Sequence, residues 1–180
     1  MTSNINWAEI REKLPFERDS ASFEKRNQIW RGIDVNGNGY LSLAEVDKGL
    51  RDILGLDQVF NCKPAIMRAF QASKNAVKTK SKHGPDYVER PEFRLLLQYL
   101  QQYFEYFQAF ALLDANNDRR IELGEFMSSL PIIEKWVGKL GDPNAEFKKI
   151  DKNQGGYILF DEFCEWAIKK NLDLENEDYE

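Results

Sequence analysis

Residues 34–45 constrain the fold of this chain more strongly than any other segment. Within these twelve residues, oxygen-bearing side chains occupy positions one, three, five and nine, an aliphatic residue occupies position eight, and a glutamate occupies position twelve. Position six is Gly39, which reaches a positive φ at little cost and therefore permits a sharp turn. The spacing predicts a tightly turned loop whose oxygen atoms face a common centre.

Oxygen ligands spaced in this way around a sharp turn are the pattern of an EF-hand calcium loop. Calcium is a hard cation that takes about six to eight oxygens, so carboxylates, amides, carbonyls and water can share one shell. The predicted ligands are Asp34, Asn36, Asn38, the backbone carbonyl of Tyr40, Ser42 through a water molecule, and both carboxylate oxygens of Glu45.

Apolar residues at helical spacing flank this loop, as an EF-hand requires. Residues 20–33 predict the entering helix, and residues 46–54 predict the exiting helix, which ends near Gly55. A shorter helix is predicted over residues 4–14, where Pro15 stops the pattern. Because EF-hands pair through the position-eight residues of adjacent loops, we expect the motif to recur along the chain.

A second hand is recognisable but incomplete. A helix is predicted over residues 63–73, and residues 87–93 are similar to the second half of a calcium loop. The insertion over residues 74–85 is basic where ligands are needed, so this hand is expected to hold no calcium and to brace its neighbour, with Val88 pairing with Leu41. The lysine-rich run over residues 74–82 has two interpretations, a weak contact with an anionic membrane or partner, or a solvated loop.

A third loop covers residues 114–125 and follows a long predicted helix over residues 90–113, in which a break near residues 101–105 stays open. Arg119 occupies position six, where a positive φ costs a residue with a Cβ about 1 kcal/mol or more. The carboxylates of the loop offset that strain by attracting the cation, with Glu122 at position nine acting through water. The predicted ligands are Asp114, Asn116, Asp118, the backbone carbonyl of Arg120, and Glu125.

A fourth loop covers residues 151–162, after helices predicted over residues 123–130, 132–140 and 143–150. Gly156 supplies the sharp turn, but Gly155 and Leu159 offer no side-chain ligand at positions five and nine. Water must then complete the shell, so we expect this loop to bind calcium more weakly than the other two. The predicted ligands are Asp151, Asn153, the backbone carbonyl of Tyr157, and Glu162.

Together these patterns predict an all-α fold of the calmodulin-like superfamily, with four EF-hands, one of them degenerate, in two paired lobes. The expected divisions are an N-terminal helix over residues 1–20, one lobe over 21–100, a second lobe over 101–170, and an acidic tail over 171–180. Calcium (Ca2+) is expected at two to three sites, and occupation by Mg2+ at rest stays open.

Composition argues against several other classes of protein. The net charge of −5 and the lack of a sustained basic stripe disfavour nucleic-acid binding. Cys62 and Cys164 stand far apart and show no zinc-ligand pattern. The single histidine, His83, has no evident nucleophile or acid–base partner, so we expect neither an enzyme nor a small-molecule substrate, and we disfavour a chromophore-binding photoprotein.

Targeting patterns are not evident in the sequence. The first residues lack the apolar run of a signal peptide, and Thr2 stands where myristoylation requires a glycine. We therefore expect a soluble cytoplasmic protein without an acylation signal at its N-terminus.

Several segments, and not the calcium loops alone, resemble the calflagin family, the flagellar calcium-binding proteins of kinetoplastids. They include residues 86–89 (DYVE), 91–97 (PEFRLLL) and 134–136 (EKW), and a run from Asp142-Pro143 through Phe147 to Trp166-Ala167. The resemblance covers the chain from about Trp7 to Leu174. It implies four EF-hands in two lobes and calcium sensing near a flagellar membrane, with binding concentrated in the third and fourth hands.

This chain departs from the family pattern in two respects. Calflagins are anchored by an acylated amino terminus with a glycine after the initiator methionine and a nearby cysteine, whereas this chain has Thr2 and no cysteine before Cys62. Its first loop is also more complete than the resemblance leads us to expect.

Two roles are compatible with these loops. In a calcium sensor, binding reorients helices and exposes an apolar surface to a protein or membrane partner. In a calcium buffer, binding causes little opening. The sequence contains only three methionines beside many aromatic residues, which disfavours a promiscuous calmodulin-like groove and favours a specific protein target or a mostly closed core.

Overall fold

The computed structural model describes residues 5–77, 81–172 and 174 of the 180-residue chain. The chain divides into two compact units, one up to Phe104 and one from Glu105 onward. The predicted division after residue 100 lies four residues earlier. The predicted first lobe and N-terminal helix therefore lie in unit 1, and the predicted second lobe lies in unit 2 except for residues 101–104.

Unit 1 contains two helix–loop–helix repeats preceded by a short helix. Its elements are α1 (Trp7–Lys13), α2 (Ser20–Ile33), β1 (Tyr40–Ser42), α3 (Leu43–Asp52), α4 (Asp57–Phe60), α5 (Lys63–Ala76), β2 (Tyr87–Glu89) and the first part of α6 (Arg90–Leu113).

Unit 2 repeats the arrangement with shorter helices. After the end of α6 its elements are β3 (Ile121–Glu122), α7 (Leu123–Ser128), α8 (Leu130–Val137), α9 (Pro143–Ile150), β4 (Tyr157–Ile158) and α10 (Phe160–Lys170).

Each unit contains a two-stranded antiparallel sheet that joins its two loops. In unit 1, β1 pairs with β2, and Leu41 lies opposite Val88. In unit 2, β3 pairs with β4, and Ile121 lies opposite Ile158. All four side chains are completely buried. The predicted pairing of Leu41 with Val88 is thus confirmed, and the incomplete second hand braces the first.

Aromatic side chains fill the core of each unit. In unit 1, the ring of Trp30 meets the ring of Phe93 edge-on, with centroids 5.1 Å apart. Trp7 of α1 packs in the same way on Phe104, at 5.5 Å, which holds the N-terminal helix on this unit. In unit 2, corresponding edge-on contacts join Phe110 to Phe163 and Phe126 to Phe147, both with centroids 5.6 Å apart.

One close helix contact in unit 1 depends on a glycine. A Cβ added at Gly49 in α3 would lie 2.7 Å from a side-chain carbon of Ile33 in α2. Such a distance is shorter than any real Cβ contact, so a larger residue at this position would push the entering and exiting helices of the first hand apart.

Several helix bounds differ from those expected. The long helix α6 is continuous through residues 101–105, so the break left open there does not occur. The helix predicted over 123–130 ends at Ser128, and a new helix starts at Leu130 with Pro131 in its first turn, where a missing N–H costs nothing. The next helix ends at Val137, before Gly138 with its φ of 83°, and not near Gly141. The short helix α4 was not predicted.

None of the helices in the described part of the chain is long and apolar enough to cross a membrane. The N-terminal residues 1–4 and most of the predicted acidic tail lie outside the described residues, as do residues 78–80 of the lysine-rich run. Cys62 and Cys164 are buried thiols, as small apolar residues would be.

Replacing Val88 with alanine should lower the free energy of unfolding of unit 1 by about 2 kcal/mol, because two buried methyl groups are lost. Val35 is a matched control, since its side chain is 85% exposed and its replacement with alanine should change the stability by less than about 0.5 kcal/mol. Chemical denaturation without calcium would measure both. Equal effects of the two substitutions would contradict the buried pairing between the loops.

Candidate calcium loops

An aspartate ends the entering helix of the first, third and fourth hands. Asp34, Asp114 and Asp151 each follow the last helical residue, and their backbone N–H groups donate to carbonyls four residues back. Their exposed fractions are only 9%, 5% and 6%. The position-one carboxylate of each loop is therefore held below the surface at a helix end.

The same two backbone groups satisfy this carboxylate in all three loops. One carboxylate oxygen accepts from the N–H at position five, and the other accepts from the N–H at position six. The position-five distances are 3.1, 3.2 and 3.0 Å, and the position-six distances are 3.1, 2.9 and 2.8 Å, in the first, third and fourth loops respectively. This repetition shows that the three loops share one backbone path.

Position six takes a positive φ in every one of these loops. Gly39 and Gly156 both have a φ of 86°, while Arg119 has a φ of 68°. The expectation that Arg119 must adopt this unfavourable conformation is confirmed. Its N–H donates to the buried carboxylate of Asp114, and this hydrogen bond helps to hold the arginine in the left-handed region.

Amide and carboxylate oxygens at positions three and five form short local turns. Asn36 accepts from the N–H of Asn38 at 3.0 Å, and Asn38 accepts from the N–H of Tyr40 at 3.1 Å. In the third loop, the oxygens of Asn116 and Asp118 each accept an N–H at 2.9 Å. A carbonyl or carboxylate oxygen has more than one lone pair, so these turns leave the ligand atoms able to face a cation.

The fourth loop has a glycine at position five, where the other two loops have a ligand type. A Cβ built on Gly155 would lie 2.9 Å from the amide oxygen of Asn153 at position three. The first and third loops hold Asn38 and Asp118 at this position beside an asparagine at position three, so a side chain here would require only a small shift of the Asn153 side chain.

The closing glutamate is arranged differently in the first loop. In all three loops one of its oxygens accepts the N–H at position nine, three residues earlier. In the third and fourth loops the other oxygen reaches across to the position-three N–H, at 3.3 Å for Glu125 and 3.2 Å for Glu162. Glu45 instead accepts the hydroxyl of Ser42 at 2.9 Å. Sequence reasoning did not distinguish these two arrangements.

The buried aspartates have no positively charged partner among the described residues. Within residues 5–77 and 81–172, no lysine, arginine or histidine forms an ion pair with Asp34, Asp114 or Asp151. A buried carboxylate without a positive partner is costly even when it is hydrogen-bonded. A cation at the centre of each loop would supply the missing positive charge, so the residues present fit calcium.

The predicted ligand sets combine carboxylates with amide and backbone oxygens, which is the mixed set that calcium accepts. Across the described residues, no three His, Cys, Asp or Glu side chains gather as a metal cluster.

The side chains of the position-seven residues, whose backbone carbonyls are predicted ligands, make ring contacts with the neighbouring hand. In unit 2, the guanidinium of Arg120 lies over the ring of Tyr157, 4.6 Å from its centroid. In unit 1, the ring of Tyr40 stacks on His83 with centroids 4.1 Å apart. Neither contact was anticipated, because both join side chains from different hands.

The second hand contains an ionic network where the other hands have ligands. Glu92 accepts from the ammonium of Lys74, and Glu89 accepts from the ring nitrogen Nδ1 of His83 at 2.7 Å. The hydrogen bond from His83 holds the pKa of the Glu89 carboxyl below its ordinary value. Lys74, the first residue of the lysine-rich run, is thus directed inward, and the solvated or membrane-facing interpretation of that run does not apply to it.

Paired helix–loop–helix units, joined by short antiparallel strands and carrying oxygen-lined loops, define this chain as an EF-hand calcium-binding protein. The model of the FCaBP EF-hand domain matches residues 10–100, and that of the EF-hand domain pair matches residues 103–168. The chain belongs to the flagellar calcium-binding protein family, as the resemblance in the sequence indicated.

Curated relatives support this assignment over nearly the whole chain. The flagellar calcium-binding protein of Trypanosoma cruzi is 33% identical over 95% of this chain and 82% of its own length. Flagellar calcium-binding protein TB-24 of Trypanosoma brucei brucei is 36% identical over 94% of this chain and 79% of its own. A solved homolog of programmed cell death 6 protein from Leishmania major Friedlin matches 88% of this chain and 78% of its own, with 18% identity and a TM-score of 0.39.

Replacing Gly156 with alanine should lower the stability of unit 2 by about 1 kcal/mol, because an added Cβ strains the positive φ at position six. Open space surrounds both this glycine and Gly124 in α7, whose φ is not positive. Gly124→Ala is therefore the control, and it should raise the stability by up to about 1 kcal/mol. Thermal unfolding followed by circular dichroism would report both changes. If Gly156→Ala left the stability of unit 2 unchanged, the turn would not need glycine.

Proposed function

We propose that this protein is a calcium sensor with three calcium sites, in the first, third and fourth hands. The observation that carries this proposal is the set of buried position-one aspartates that lack a positive partner among the described residues. The ligands proposed are those predicted for the loops at residues 34–45, 114–125 and 151–162. Calcium, when bound, would supply the positive charge. It prefers about seven oxygen ligands, which the loop would arrange around its centre.

The closing glutamates connect the loops to the helices. Glu45, Glu125 and Glu162 lie in the first turns of α3, α7 and α10, and each caps the N–H group that starts its helix. Donating both carboxylate oxygens to a cation would require the capping oxygen of each side chain to leave this N–H group and turn toward the loop centre. Because each side chain is fixed to a helical backbone, that movement reorients the exiting helix, which is how sensor hands open.

Exposed apolar side chains on the helices of unit 2 would form part of a surface that binds a target protein. Leu123 and Met127 of α7 and Ile132 of α8 are 41%, 37% and 38% exposed. Opening would add buried aromatic rings of the same unit to this surface. A surface of aromatic and branched residues with few methionines favours a specific protein target over many partners.

The three loops differ in their expected affinity. The third loop offers the most carboxylates but holds Arg119 in a strained conformation. The first has a glycine at position six, and its closing glutamate is engaged by Ser42. The fourth offers two carboxylates and lacks the ligand at position five. We propose that the fourth loop is the weakest of the three, and we leave open whether magnesium occupies the sites at rest.

The location and partners of the protein are inferred from its relatives. Since those relatives are named as flagellar proteins, we propose that this chain acts in the flagellum or cilium, on its cytoplasmic side, against a protein target. Weak contact with an anionic membrane through the lysine-rich run remains part of the proposal, but it must exclude Lys74, whose side chain is only 7% exposed. We propose no catalysis and no nucleic-acid partner.

A calcium buffer is the second candidate function. It is favoured by the third and fourth hands, where one oxygen of the closing glutamate already reaches across the loop to the position-three N–H. A hand whose closing glutamate already faces the loop can bind calcium while its helices move little.

For a sensor, calcium should raise the fluorescence of an apolar dye and change the helix content measured by circular dichroism. The Glu125→Gln/Glu162→Gln double variant should lose most of the dye response, because the closing ligands of unit 2 are removed. Glu45→Gln is the matched control and should keep most of it. Calcium binding without any dye or helix response in the parent protein would contradict the sensor and favour the buffer.

A further inference from the structure

We propose that the second hand carries its own cation: the ammonium of Lys74 replaces both the position-one aspartate and the calcium ion. The hand would then be held closed at every calcium concentration. Unit 1 would respond to calcium through its first loop alone.

The pattern of buried residues places Lys74 at position one. In the other three hands, a buried aromatic residue precedes the position-one aspartate by four residues, and a buried residue directly precedes it. In α5, the buried Phe70 precedes Lys74 by four residues, and the completely buried Ser73 directly precedes it. Lys74 lies in the last turn of α5, which ends at Ala76, so the charge near the end of the entering helix is reversed in the second hand.

Strand register and capping place Glu92 at position twelve. Val88 pairs with Leu41, the position-eight residue of the first loop, and Glu92 follows Val88 by four residues as Glu45 follows Leu41. One oxygen of Glu92 accepts the N–H of Glu89 at 2.8 Å, which matches the contact of the closing glutamates in the other three hands. The loop between positions one and twelve is longer than usual, but its two end residues correspond to those of the other hands.

The ammonium lies between groups that act as ligands elsewhere. Its nitrogen is 2.8 and 2.9 Å from the two carboxylate oxygens of Glu92, and 3.3 Å from the hydroxyl of Ser81. The side chains of Lys74 and Glu92 are only 7% and 4% exposed. Glu92 thus gives both oxygens to one cation, as a closing glutamate does to calcium.

A cation fixed to the backbone has consequences that a dissolved ion lacks. It does not dissociate, and its attraction to Glu92 does not depend on the concentration of calcium. Calcium could enter this hand only by separating a buried ion pair and moving the ammonium into water, which is costly. The second hand therefore stabilises the β1–β2 sheet permanently. The first loop pairs with a strand whose conformation does not depend on calcium.

The test is hydrogen–deuterium exchange of the whole protein, read in peptides that cover residues 87–93. Without calcium, Lys74→Met should speed exchange there on the order of a hundredfold, because Glu92 is left as an unpaired buried charge. The Lys74→Met/Glu92→Gln double variant should recover most of this protection. Lys63→Met is the control, since Lys63 pairs with Asp47 at the surface and its loss should change exchange by less than about fivefold.

A second measurement separates this proposal from the sensor function. In the Glu45→Gln variant, which disables the first loop, adding calcium should leave exchange over residues 87–93 unchanged. If calcium slowed exchange there, it would be displacing Lys74, and the proposal would be overturned. Equal exchange in Lys74→Met and the parent would overturn it as well. Neither result depends on whether calcium opens unit 2.

Discussion

The burial of negative charge at the end of an entering helix is the constraint on which the rest of this structure depends. Three hands place an aspartate there, satisfy its oxygens with two loop N–H groups, and leave its charge without a positive partner among the described residues. Hydrogen bonds alone compensate such a charge only in part. The loop path, the positive φ at position six and the placement of the closing glutamate all serve to gather oxygens around a cation.

The second hand also buries a negative charge, but it neutralises this charge with a side chain of its own. It reverses the charge at position one, so that Lys74 neutralises Glu92 directly. Unit 1 then combines one proposed calcium loop with one ionic brace, whereas unit 2 has two proposed calcium loops. With three occupied loops, this difference would concentrate the calcium response in unit 2, as the family resemblance also implies.

Features set by local chemistry could be predicted from the sequence. The bounds of α2 and α6, the strain at Arg119 and the pairing of Leu41 with Val88 follow from spacing within or just beyond one motif. Features set by distant contacts could not. Lys74 looked like the start of a solvated run because its partner lies eighteen residues away, beyond an insertion of no regular pattern. Pro131 looked like a helix end, although proline also suits a first helical turn.

Calcium titration calorimetry of the whole chain, with magnesium present, tests the central claim most directly. The account predicts three calcium sites per chain. Glu45→Gln, Glu125→Gln and Glu162→Gln should each remove one site, with Glu162→Gln removing the weakest, and Glu92→Gln should remove none. A fourth site, a site lost with Glu92→Gln, or loss of the tightest site with Glu162→Gln would contradict the account.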